Sequence, residues 1–194
     1  ANTVLAFTLF LCTGMIYACI KFLQEWATPL TVVNYTLLGS ASGFMLATAF
    51  ASHQGSELSG FYGGWAIILT LAALITRVSS LMRNARIKHK STLQTAIGVR
   101  HGKIEQKAQG FMSGSFNTRE FFHGASPVVF SSVKWIFLIT VFPIPLFLLS
   151  LGLTADVLFL YGLAFAVQYA GLLAERWFFF AQSNHPQNLY YQTV

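Results

Sequence analysis

The stretch VLFLYGLAFAVQYAGLLAERWFFF, Val157–Phe180, carries no charge from Val157 to Ala174 and then sets Glu175 beside Arg176. Crossing about 30 Å of hydrocarbon takes roughly 20 mostly apolar residues in a helix, and this stretch has that length. Four more runs match it: Thr3–Ile20, Leu30–Ala51, Phe61–Met82 and Trp135–Leu153. None alternates as a barrel strand does, and backbone groups in lipid must be satisfied internally, so the runs predict an all-α polytopic transmembrane bundle of five helices. Residues 1–194 are read as one membrane domain, with helices over 3–20, 30–51, 61–82, 135–153 and 157–180.

Composition agrees with a lipid environment. The chain of 194 residues is 55% hydrophobic and 9% charged, with nineteen Phe, seven Tyr and four Trp, and its mean hydropathy is +0.58. Aromatic rings suit both the hydrocarbon and its interface. The two cysteines, Cys12 and Cys19, lie in or at the edge of the first apolar run, where they build neither a disulfide framework nor a four-thiolate cluster. The chain opens on Ala1, with no basic region or small-residue cleavage site before the first run, and is expected to be a piece of a longer protein.

Of the twelve Lys and Arg residues, all but Lys21 and Arg176 fall between Arg77 and Lys134. Five alternating helices put the first connection, the long loop 83–134 and the C-terminus on one side, and that side receives every Lys and Arg. It is therefore expected to be cytoplasmic. The other side holds Glu57, Asp156 and His53.

Local signals refine this plan. Gly39 and Gly43, in GSASG, leave a small-residue face for close helix approach. In FPIPL, Pro143 and Pro145 deprive the carbonyls of Ile139 and Val141 of their usual donors, which predicts a kink and frees carbonyls to line a polar pocket. The loop contains GFMSGSFNTREFFHG, where Asn117 and Glu120 have capping-box spacing. Its Phe111, Phe116, Phe121 and Phe122 either lie in the membrane interface or, with Arg119 and Glu120, dock a soluble partner. Nothing matches a nucleic-acid-binding motif, and basic residues beside a membrane are expected anyway, so nucleic acid is not an expected partner.

The chemistry open to the chain is narrow. His53, His89, His101, His123 and His185 all lie outside the apolar runs, which argues against a bis-histidine haem in the bilayer, and the cysteines cannot hold an iron-sulfur cluster. No nucleotide-binding glycine loop, HExxH or nucleophile elbow appears. No redox cofactor is expected in this chain. Glu175 and Arg176 have two readings. In one they reach interfacial water from the last helix. In the other they line a head-group site with Gln168 and Tyr169, where a quinone carbonyl accepts hydrogen bonds and a carboxylate relays protons; another helix must complete such a pocket. A component of a transporter or channel is an alternative from a different class, but the membrane core has few ionisable residues and no internal repeat.

The run CTGMIYACIKFLQEWATPLTVVNYTLLGSASG, the loop GSFNTREFFHG and the ending AGLLAERWFFFAQSNHPQNLYY resemble the membrane-anchor subunit of the dimethyl sulfoxide reductase family, which includes the anchor of the quinone-linked sulfite dehydrogenase. The resemblance spans almost the whole chain and covers the last five of the family's usual eight helices. The histidine, arginine and glutamate tied to quinol chemistry in that family lie in its earlier helices and have no counterparts here. Only the arginine of the last helix carries over, onto Arg176. The resemblance implies a complex of three proteins in a bacterial inner membrane: a molybdenum bis-pterin catalytic subunit, an iron-sulfur electron-transfer subunit and this anchor. The anchor would exchange electrons with ubiquinone or menaquinone. With the large loop cytoplasmic, sulfite oxidation with quinone reduction is the expected direction; an S-oxide reductase anchor oxidising menaquinol is the alternative.

Overall fold

A computed structural model describes residues 2–88, 92–104 and 126–185. Among them the chain is all helical: α1 (Asn2–Ala18), α2 (Pro29–His53), α3 (Ser59–Asn84), the short α4 (Leu93–Ile97), α5 (Pro127–Val141), α6 (Pro143–Ala155) and α7 (Leu158–Ala181). Four helical stretches are long and apolar enough to cross a membrane: α2, α3, the α5–α6 unit and α7. The first helix has 17 residues, about 25 Å at 1.5 Å per residue, and ends before the predicted Ile20. Phe116, Arg119, Glu120, Phe121 and Phe122, together with Phe111, the Asn117–Glu120 spacing, His89 and His123, lie outside the described residues.

Several boundaries have a local cause. Thr28 caps α2, its hydroxyl accepting from the Leu30 amide at 3.4 Å, and Pro29 takes the first helical position, where a missing N–H costs nothing. Gly55, at φ +66, turns the chain between α2 and α3. The helix expected to start at Trp135 begins at Pro127, because Ser126 accepts from the Val129 amide at 3.3 Å and caps it. Lys134 interrupts the apolar run but not the helix, and its ammonium lies 5.5 Å from the Trp135 ring centre. At Phe142 the helix breaks, and Pro143 starts α6.

Packing puts polarity inside and apolar side chains outside. Phe7, Phe50, Ile68, Ile75, Phe147, Phe159 and Leu173 are exposed, whereas Thr48, Thr70, Arg77, Gln168 and Glu175 are buried. Such an arrangement suits lipid, which accepts exposed apolar side chains but not unpaired polar groups. One apolar cluster joins Leu38, Ala73, Phe137, Val141, Phe142 and Phe178; another joins Met45, Ala66, Leu149, Tyr161 and Ala164. At the end carrying the first connection, Trp26 stacks on Phe179 at 5.0 Å and donates from its indole to the Phe179 carbonyl at 3.1 Å. Gly171 lets α7 close on α5: a Cβ there would lie 2.9 Å from the Thr140 carbonyl carbon.

Candidate functional site

The centre of the site is a carboxylate shared by two guanidinium groups. Glu175 lies about two turns before the end of α7, and Arg77 about two turns before the end of α3. The two helices run toward the same end of the bundle, which brings both residues to one depth, roughly 10 Å in from those ends. Arg77 Nη2 is 2.7 Å from Glu175 Oε1, and Arg176 Nε donates to Oε2 at 2.6 Å while Arg176 Nη2 also contacts Oε2. The side chains of Arg77 and Glu175 are 2% and 0% exposed, and that of Arg176 is 27% exposed.

Aromatic faces complete the enclosure. The Arg77 guanidinium carbon lies 5.5 Å from the Phe137 ring centre, and that of Arg176 lies 4.3 Å from Tyr35 and 4.8 Å from Phe179. A cation over a ring face is attracted by the ring quadrupole, most strongly where water is excluded. Arg77 and Tyr35 were not singled out by sequence as site residues. Arg77 reads as one of the loop's basic residues because Arg83 and Arg86 follow it; its position inside an apolar run, with a lone glutamate in another run, was the available signal.

The four sequence candidates divide. Glu175 does not reach interfacial water along the helix; it is enclosed between α3 and α7, because Arg77 supplies the countercharge from within the bundle. Gln168, on the same face about two turns deeper, donates from Nε2 to Thr70 Oγ1 at 3.3 Å and to the Val141 carbonyl at 3.4 Å. That carbonyl is one of those freed by the prolines, so the kink and the buried amide answer each other. Tyr169 stands apart, 53% exposed and stacked on Phe165. Arg176 sits at an opening: a cleft of about 180 Å³ is lined by Phe10, Tyr35, Leu38, Gly39, Leu172 and Arg176.

Both oxygens of Glu175 are held by arginines, so the carboxylate's evident task is to fix them. What the cluster presents outward is the Arg176 guanidinium, a fixed positive group at the end of an apolar cleft. Such a group can donate to an acceptor oxygen.

Compared with known proteins, the chain is 57% identical over 193 residues to one of the subunits of the sulfite dehydrogenase of Allochromatium vinosum. The match takes in 100% of this chain and 59% of that protein, so the chain spans about three-fifths of its relative's length. No family model and no solved structure matches the chain.

Proposed function

From the 57% identity along the whole chain, we propose that this is the membrane subunit of a sulfite dehydrogenase, anchoring the enzyme in the bacterial inner membrane and passing its electrons to the quinone pool. Four apolar helices support the anchor role. The reaction balances as sulfite and water giving sulfate, two electrons and two protons, with quinone taking up two electrons and two protons to become quinol.

The sulfur chemistry is assigned to partners: a molybdopterin catalytic subunit and an iron-sulfur subunit. The donor set supports that division, because Cys12 and Cys19 are the chain's only cysteines, are both exposed, and fall short of four thiolates. On this reading the chain belongs among dimethyl sulfoxide reductase-type anchors, with its basic end and loop 83–134 cytoplasmic and facing the partners. The relative's name favours sulfite oxidation over S-oxide reduction.

The test is to isolate the chain with its native partners in mild detergent, identify the proteins that come with it, quantify molybdenum and iron, and assay sulfite-dependent quinone reduction. Two soluble partners, both metals and quinol formation are expected. An intact chain recovered alone without either metal would sink the reading and redirect attention to transport.

A further inference from the structure

The connection between α1 and α2, residues 19–28, lies across one end of the bundle and is fastened there from three sides. The Trp26 indole donates to the Phe179 carbonyl at 3.1 Å. Arg83 Nη2 donates to the Gln24 carbonyl at 3.0 Å, and Glu25 Oε1 accepts from the Asn184 amide at 3.3 Å. These partners belong to the ends of α7 and α3 and to the segment after α7, so the connection reaches over the helix ends rather than along the lipid-facing edge. Leu23 and Trp26 are 1% and 2% exposed. The backbone also closes on itself: the Ile20 carbonyl accepts from the Leu23 amide at 3.2 Å, and the Leu23 carbonyl accepts from the Trp26 and Ala27 amides at 3.0 Å. A segment with buried apolar side chains and paired backbone groups is already ordered.

What this plate presents outward is one aromatic ring among positive charges. Phe22 is 57% exposed, and its ring meets His185 edge-on at 5.3 Å. Lys21 beside it is exposed, as are Arg86 and Lys88 just past the end of α3. Acids among the described residues give no counterweight here. Glu25 and Glu175 are buried, and Glu57 and Asp156 follow α2 and α6 at the opposite end of the bundle.

A single exposed phenylalanine is ordinary; one held on a fixed backbone beside a group of cations has the make-up of a protein contact. Aromatic and arginine side chains are enriched where interfaces are most buried, and a surface ordered beforehand loses less entropy when it binds. An anionic bilayer surface would attract the same cations, but it adapts to any shape and needs no ring fixed over the helix ends. The charge selects an acidic face on the partner, since a basic one would be repelled.

We propose that the 19–28 connection is a seat for the soluble electron-carrying partner, with Phe22 buried in the contact and Lys21, Arg86 and Lys88 facing acidic side chains of that partner. The proposal rests on the reading of the chain as the anchor of an oxidoreductase. It places the aromatic contact on the first connection, outside the loop in which sequence alone suggested one.

The complex is captured through a tag on this chain in mild detergent, and the soluble partners that stay with it are quantified as NaCl is raised. Phe22→Ala is expected to raise the Kd for the partner roughly tenfold to a hundredfold, so that the partners leave at lower salt. Lys21→Glu weakens retention most at low ionic strength, where charges are least screened. Both variants melt with the parent, because both side chains are exposed, and the released partners oxidise sulfite with ferricyanide at the parent rate. Phe159→Ala, 72% exposed at the opposite end, keeps its partners. If Phe22→Ala fails to fold, Lys21→Glu still decides. Retention equal to the parent's in both variants overturns the proposal; weaker binding of those variants to vesicles containing anionic phospholipid would then make the plate a lipid contact. A parent chain that brings no soluble partner with it overturns the anchor reading instead.

Discussion

Replacing Glu175 by Gln keeps the side-chain shape and removes the one negative charge between Arg77 and Arg176. Arg77 is 1% exposed, so water cannot take the carboxylate's place. Breaking a buried ion pair by removing one partner costs about 3–5 kcal/mol. Here the two guanidinium groups also lose the charge that screened them from each other, which favours the upper half of that range. For a chain of this size each kcal/mol lowers Tm by about 2–4 °C, so a loss of about 4 kcal/mol predicts a fall of about 8–16 °C. The assay is thermal unfolding in mild detergent, followed by tryptophan fluorescence. A companion variant sharpens it: Arg77→Met leaves Glu175 paired with Arg176 and should cost less than Glu175→Gln, and the double variant should recover part of the Glu175→Gln loss. A Glu175→Gln protein that melts within about 2 °C of the parent, with no recovery in the double variant, would show that the cluster is hydrated and that Glu175 does not hold the arginines.

Three further outcomes follow from the packing. Gly171→Ala sets a Cβ 2.9 Å from the Thr140 carbonyl carbon and should destabilise the bundle by about 1–3 kcal/mol, whereas Gly43→Ala meets nothing within 4 Å and should be neutral or slightly stabilising in the same thermal assay. Gln168→Leu leaves the Val141 carbonyl without its side-chain donor and should cost about 1–3 kcal/mol; an unchanged Tm would mean that this carbonyl finds another partner. His185, which follows the last helix and packs edge-on to Phe22 at 5.3 Å, has its pKa lowered by burial, so its neutral form fits the folded chain. Its contribution is full above the unfolded value of about 6.5 and is lost as pH falls through the lower folded value. Acidification should therefore loosen the segment that holds Asn184 on Glu25, where the Asn184 amide donates to Oε1 at 3.3 Å. Tryptophan emission, which includes neighbouring Trp26, should change across that range in the parent and stay flat in His185→Phe.

The helices were legible because lipid makes one demand of every residue along a span. A run such as Leu30–Ala51 satisfies it whatever its neighbours do, and Thr28–Pro29 marks its start. Boundaries were less clear where a single charge broke a run. Lys134 concealed the first turns of the α5–α6 unit, although Ser126–Pro127 is a capping signal in its own right. The kink at Pro143 was legible from the missing amide donors; that Gln168 would meet the freed Val141 carbonyl was not.

Sequence alone determined that this chain is a bundle of apolar helices with its positive charge gathered toward one end, since hydropathy and charge are properties each residue carries wherever it is placed. Only the tertiary structure decided which of those charges enter the bundle. Arg77 stands in line with the arginines of the loop, yet the common direction of α3 and α7 in the bundle carries it to Glu175. Gly39 and Gly43 look equivalent, yet Phe10 closes one and leaves the other open. Ion pairs and clefts are made by separations in space between residues far apart in the chain, and no local pattern records those separations.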